Sequence, residues 1–95
     1  MEQRTLTFNE LMVIGAIKGG HLNPYQPQTW DKDPAFYRGL ARLAAIIMKA
    51  RGGFNAADSE QFEFWQKENE IDACKQKIQE TIESLQAKKI LVINP

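Results

Sequence analysis

Hydrophobic and polar positions alternate with a helical period along much of the chain, and the first helix is marked at both ends. Thr7 and Glu10 have the spacing of a capping box, in which each side chain hydrogen-bonds the backbone amide of the other. Gly19 and Gly20 favour the left-handed turn that ends a helix. The pattern therefore predicts a first helix over about residues 8–18.

A second predicted helix starts at Asp33 and Pro34, a good N-cap followed by a proline at the first helical position, and ends at Gly52 and Gly53. Its apolar residues recur at steps of three and four, which places them on one helix face. They are Phe36, Leu40, Leu43, Ile47 and Ala50, with Ala44, Ile46 and Met48 beside them. We expect this face to pack into the core and this helix to be the central one.

A third predicted helix begins at Asn55 or Asp58 and runs to Lys88, with apolar residues near heptad spacing. The apolar stripe contains Ile71, Cys74, Ile78, Ile82 and Leu85, which we interpret as a candidate seam for a homodimer. A continuous helix of this length spans about 50 Å, whereas a domain of this size is only about 30 Å across. The helix therefore either breaks near residues 66–70, or it projects and pairs with a second chain.

Short β segments at the two ends complete the expected fold. Residues 90–93 have the composition of a buried strand, which pairs either with residues 4–7 or with a second subunit. The predicted fold class is mainly α, a single helical domain over residues 1–95. It has three helices, of which the C-terminal one is long, and short terminal β segments.

Charge is balanced overall, with twelve basic and twelve acidic residues, but it is segregated along the chain. Residues 58–72 carry six acids and one lysine. Residues 34–57 carry only bases, namely Arg38, Arg42, Lys49 and Arg51. These bases either bind phosphate or another partner, or they pair with the acidic start of the third helix.

Residues that support catalysis or metal binding are few and scattered. The single histidine, His21, falls in a predicted loop, and the single cysteine, Cys74, falls on the apolar stripe, where we expect a buried structural thiol. Ser59 and Ser84 have no catalytic motif around them, and the paired ligand spacing of a zinc site is absent. The sequence therefore predicts a protein that is not an enzyme and that uses no metal or cofactor.

The expected location follows from two further patterns. No apolar run approaches the roughly 20 residues that span a bilayer, and the first residues lack the pattern of a secretion signal. We therefore expect a cytoplasmic protein that makes no membrane contact.

These observations favour a non-enzymatic protein-interaction module, a small regulator or inhibitor that docks on a larger macromolecular partner. Its candidate partner-binding residues are four bases and four aromatic residues: Arg38, Arg42, Lys49, Arg51, Tyr25, Trp30, Phe62 and Trp65. Arginine and aromatic side chains are enriched at interface hot spots. The alternative interpretation of the aromatic residues is that they pack in the core, with Tyr25 and Trp30 holding loop 20–33 against the body.

Two segments resemble parts of a winged-helix protein. Residues 6–14 resemble the opening helix of that fold, and residues 78–93 resemble a helix that leads into the first wing strand. The resemblance implies a DNA-binding regulator. The charge pattern separately offers one patch for phosphates, which consists of Arg38, Arg42, Lys49 and Arg51. The expected recognition helix carries Glu80 and Glu83 beside its lysines, so DNA binding is the alternative function.

Overall fold

The computed structural model describes residues 6–92, which fold into four α-helices and one 3₁₀ turn. The α-helices are α1 (Phe8–Lys18), α2 (Pro34–Ala50), α3 (Ala56–Lys67) and α4 (Ile71–Ala87), and the turn is Pro27–Thr29. A mainly helical fold is confirmed, but the prediction of three helices is wrong, because the predicted third helix is α3 and α4. No strand occurs within residues 6–92, so residues 6–7 and 90–92 do not form the predicted β segments. Positions 4, 5 and 93 lie outside the described residues.

The central helix is α1, and not α2 as the sequence predicted. Seven of its eleven residues are buried, and α2, α3 and α4 all pack against it. A helix that is apolar around most of its circumference is stable only when neighbours cover it on several sides. Its capping box is present as predicted, with the Thr7 amide donating to Glu10 Oε1 at 3.0 Å and the Glu10 amide donating to Thr7 Oγ1 at 3.2 Å.

Side chains of α3 accept hydrogen bonds from the first turn of α1, whose amides have no partner within their own helix. Asp58 Oδ1 accepts from the Phe8 amide at 3.1 Å, and Gln61 Oε1 accepts from the Asn9 amide at 2.9 Å. One turn further along α3, the Trp65 indole N–H donates to Asn9 Oδ1 at 2.8 Å. These three bonds fix the position of α3 across the start of α1.

The chain changes direction between α3 and α4 at residues Glu68, Asn69 and Glu70, which contain no glycine or proline. The Glu68 carboxylate accepts hydrogen bonds from the amides of Asn69 (3.1 Å) and Glu70 (2.8 Å), and this holds the turn. The described chain measures 37 Å along its longest axis, which is shorter than the continuous helix would be. Of the two alternatives that the sequence left open, the structure shows the break near residues 66–70, and the long C-terminal helix of the predicted fold is not present.

The apolar stripe of α4 packs into the protein's own core. Cys74, Ile78, Ile82 and Leu85 are each at most 1% exposed, and Ile71 is half-buried. The break allows this, because it lets α4 fold back against α1 and not project into solvent. The stripe therefore offers no surface to a second chain, and the predicted dimer seam is corrected to a core face.

Three helices end in the same hydrogen-bond pattern, the Schellman motif, in which a residue with positive φ follows the helix. That residue is Gly20 after α1 (φ 78°), Gly52 after α2 (φ 126°) and Lys89 after α4 (φ 59°). The next amide then bonds back to the last turn, from His21 to Ala16, from Gly53 to Met48 and from Ile90 to Leu85. Lys89 adopts this conformation without the freedom of a glycine, so its backbone is strained.

Candidate interaction surface

Half of the residues on the face of α2 that packs into the core are alanines. It contains Tyr37, Leu40, Ala41, Ala44, Ala45 and Met48. The alanines let α2 approach α1 and α3 closely, and Tyr37 fills the remaining space by stacking on Trp65 at a ring-centroid distance of 6.1 Å. The buried face is therefore rotated away from the stripe of larger aliphatic residues that the sequence predicted to be buried.

Three of the four leucine and isoleucine side chains of α2 are exposed to solvent. Leu43 is 56% exposed, Ile46 is 65% exposed and Ile47 is 42% exposed. The prediction that Leu43 and Ile47 face the core is therefore wrong. We call these three side chains the α2 apolar patch. A contiguous group of exposed aliphatic side chains on a small protein commonly marks a binding surface.

A groove between α1 and α2 adjoins the α2 apolar patch. It has a volume of about 180 Å³ and shares Leu43 and Ile47 with the patch. Its other walls are aliphatic or small: Leu11, Met12, Gly15, Ala16, Gly19, Leu40 and Ala44, with His21 at one end. The patch and the groove together form one almost entirely apolar surface, which lies on α2 and extends to α1.

Basic side chains run along one border of the patch. Arg42, Ile46 and Lys49 follow one another at steps of four and three, so they lie in one row on the helix. Arg38 begins the same row one turn earlier, and we call Arg38, Arg42 and Lys49 the basic edge. Arg51 is exposed where α2 ends.

No ion pair within residues 6–92 neutralises the basic edge. The ion pairs among the described residues join Lys67 to Glu63, Lys77 to Glu80 and Lys88 to Glu10, and none involves a base of α2. Arg38 Nη1 donates only to the neutral amide oxygen of Asn69, at 3.4 Å. Pairing with the acidic start of α3, one of the two alternatives from the sequence, is therefore not found within residues 6–92.

The aromatic candidates divide between the core and the surface. Trp65 is 1% exposed and Trp30 is 4% exposed, so both are core residues and cannot contact a partner in this arrangement. Trp30 anchors the loop through its side chain, which belongs to the core cluster, and its indole N–H donates to the Asn23 carbonyl within the same loop at 2.7 Å. Phe62 is half-buried against Phe8, at a ring-centroid distance of 5.5 Å. Only Tyr25 is well exposed, and it lies in the loop.

Polar side chains surround the buried carboxylate of Glu10, a residue that is 2% exposed. Ser84 Oγ donates to one oxygen of its carboxylate at 2.8 Å, and Lys88 Nζ donates to the other at 2.8 Å. Burial by itself raises the pKa of Glu10, but the hydrogen bonds from Lys88, the Thr7 amide and Ser84 outweigh it and lower the pKa. A carboxylate held in its ionised form in this way is a weak base, so it does not activate the Ser84 hydroxyl.

The other chemistry-bearing residues do not form a site among residues 6–92. Cys74 is buried, and burial, followed by the negative charge of Glu68, raises the pKa of its thiol. A raised pKa keeps the thiol protonated and unreactive. No group of three or more His, Cys, Asp or Glu side chains in the described part of the chain is arranged to hold a metal ion.

Sequence reasoning identified the basic edge but missed the patch beside it. Leu43, Ile46 and Ile47 carry a clear helical period, and that signal does not show which way the helix is rotated.

The described helices include none that is long and apolar enough to cross a membrane. Comparisons with protein-family models, curated proteins and solved structures give no match to this chain.

Proposed function

We propose that this protein is a non-enzymatic interaction module, a small regulator or inhibitor that docks on a larger protein through α2. The observation that carries the proposal is the exposure of Leu43, Ile46 and Ile47 next to an apolar groove. These side chains are not needed to cover the protein's own core, which is filled by the opposite face of α2. Exposure of these apolar side chains to water is unfavourable, and a partner that covers them would remove this free-energy cost.

The free energy gained by burying these three side chains is large enough to contribute to binding. Full burial of a leucine or isoleucine side chain contributes roughly 1.5–3 kcal/mol, and each of the three has about half of its surface still to bury. The α2 apolar patch would therefore contribute about 2–4 kcal/mol, with further burial along the groove. Micromolar affinity corresponds to roughly 8 kcal/mol, so the patch supports a real complex when flanking contacts add to it.

Site-specific photocrosslinking in the cells that encode the protein tests this proposal. A photoreactive amino acid is placed at Ile46, the most exposed residue of the patch, and in a matched control at Tyr25, which is similarly exposed but lies in the loop. We expect a discrete crosslinked protein from position 46 that is absent from position 25. No product at either position, or the same products at both, would overturn the proposal.

The mass of the crosslinked product identifies the kind of complex. The chain has a mass of 10.9 kDa, so a product larger than two chains indicates a docking partner. A product of twice that mass would instead indicate a homodimer through α2, which keeps the protein an interaction module but removes the larger partner. The proposal of a larger partner is then wrong.

DNA binding is the second candidate function, and one observation favours it. The bases of α2 make no ion pair within residues 6–92, so they are free to contact phosphates. Phosphate contacts release counterions, and the affinity then falls steeply with salt. Duplex binding at about 50 mM salt that the double variant R42E/K49E abolishes would support this candidate. Absence of binding by the unmodified protein at that salt concentration would exclude it.

A further inference from the structure

Charge and shape together narrow the kind of partner that the α2 apolar patch accepts. We infer that its occupant is an acidic amphipathic helix of another protein, laid along α2 with its apolar face on Leu43, Ile46 and Ile47. This inference rests on the proposed function and adds the chemistry of the partner. It depends on three features of the surface: its length, the α2 apolar patch, and the positive charge of the basic edge along one border of that patch.

The patch has the geometry of a surface that binds a helix. Leu43, Ile46 and Ile47 lie within little more than one turn of α2, and the groove beside them, whose walls run from Leu11 to Gly19, lengthens this apolar surface to about two turns. On the side away from the α2 apolar patch, the groove is bordered by α1 and its C-cap, where Gly15 and Gly19 are exposed. Apolar grooves between two helices typically take the i, i+3, i+4 and i+7 side chains of an amphipathic helix.

The basic edge fixes the charge of the helix that fits. Arg42 and Lys49 lie in one row with Ile46, so a helix on the patch brings its own flank against them. Acidic side chains on that flank would neutralise charges that residues 6–92 leave without an ion pair. Basic side chains there would be repelled, and this repulsion gives specificity as well as affinity.

The same charge argues against a second copy of this chain as the occupant. Between Pro34 and Ala50, α2 has no acidic side chain, so a paired α2 supplies nothing that neutralises the basic edge. An antiparallel pair of α2 helices would place two basic edges side by side. An acidic amphipathic helix from another protein would cover the α2 apolar patch and at the same time neutralise the basic edge.

Two designed peptides test the inference, measured by fluorescence anisotropy with the intact protein. Both are helical, about as long as α2, and carry leucines at i, i+3, i+4 and i+7. One has glutamates on the flanks and the other has lysines at the same positions. We expect the glutamate peptide to bind roughly tenfold more tightly than the lysine peptide, because each flanking charge pair changes from attraction to repulsion.

Protein variants then assign the binding to this surface. The double variant R42E/K49E should reverse the preference, so that the lysine peptide binds more tightly. The control K67E/K75E makes the same change in net charge on α3 and α4, and it should leave the preference as it was. I46D should weaken the binding of both peptides, because it places a charge within the α2 apolar patch.

The possible results separate this inference from the proposed function. Equal binding of the two peptides, or a preference that R42E/K49E does not change, would overturn the acidic helix. Binding of neither peptide, together with a discrete partner crosslinked at position 46, would also overturn it while leaving the proposed function standing. A dimer in sedimentation equilibrium that I46D dissociates would show that the occupant is a second copy.

Discussion

Lys88 Nζ lies 2.8 Å from Glu10 Oε1, which joins the end of α4 to the start of α1 across 78 positions of sequence. Glu10 at the same time completes the capping box of α1. One buried carboxylate therefore connects the first and last helices and satisfies an amide at the helix start. The stability of the fold should depend on its ionisation.

We predict that Glu10→Gln lowers the free energy of unfolding by about 1–3 kcal/mol at neutral pH, because it replaces charged hydrogen bonds by neutral ones. Folding lowers the pKa of Glu10, so its contribution is complete above the unfolded-state value of 4.5 and is lost as the pH falls through the folded-state pKa. Urea unfolding between neutral pH and acid pH measures this. The difference between the variant and the unmodified protein should shrink towards acid pH, and Glu83→Gln, an exposed control on α4, should show little difference at any pH.

Asp58 should be the most sensitive acidic residue of α3. It closes the capping box of its own helix and accepts the Phe8 amide of α1. Asp58→Ala leaves buried donors without a partner, and we expect a loss of about 2 kcal/mol in the free energy of unfolding. Chemical denaturation checks this against Glu60→Ala, an exposed acid two positions later. Equal losses in the two variants would contradict the role assigned to Asp58.

Lys89 offers a site where one substitution should stabilise the protein. Its φ of 59° strains a lysine but suits a glycine. Lys89→Gly should therefore raise the free energy of unfolding by roughly 0.5–1 kcal/mol, after the greater freedom of glycine in the unfolded chain is subtracted. Lys89→Ala removes the same side chain but keeps the strain, so it should give no such gain in thermal or chemical unfolding.

Gly15 and Gly20 should respond in opposite directions to alanine. Gly15 lies within α1, and a Cβ atom there meets nothing within 4 Å, so Gly15→Ala should stabilise the helix by roughly 0.5–1 kcal/mol. Gly20 has a φ of 78°, which alanine adopts only with strain, so Gly20→Ala should destabilise the protein by about 1–2 kcal/mol. Melting temperatures of the two variants that shift in the same direction would contradict this account of α1.

The ends of α1 and α2 could be predicted from the sequence because local chemistry decides them. The Thr7–Glu10 capping box, Asp33 with Pro34, and the glycines after each helix act through neighbouring backbone groups alone. The break before α4 lacks such a signal, because it is held by the Glu68 carboxylate in a segment that has no glycine or proline.

The rotation of α2 could not be predicted because the rest of the core decides it. Phe8, Met12 and Trp65 bring bulk to the core from α1 and α3, and the small residues Ala41 and Ala44 are the part of α2 that is buried in the same cluster. Leucine and isoleucine dominate any measure of periodicity, so the sequence indicated the wrong face. The error is informative, since the same large residues form the candidate interaction surface.

If that surface is not part of the core, polar substitutions on it should not unfold the protein. We predict that Leu43→Ser and Ile46→Ser together change the free energy of unfolding by less than about 0.5 kcal/mol per site, the usual range for surface substitutions. Leu40→Ser, one turn away on the buried face, should cost several times more, because it leaves a cavity and a buried hydroxyl. Urea unfolding of the two variants measures the contrast.

The most direct test of the central claim is whether the L43S/I46S variant, purified from the cells that encode the protein, still carries the partner that crosslinks at position 46. We predict that the partner is lost while the unfolding midpoint of the variant matches that of the unmodified protein. Retention of the partner by the stably folded double variant would contradict the claim that α2 is the docking surface.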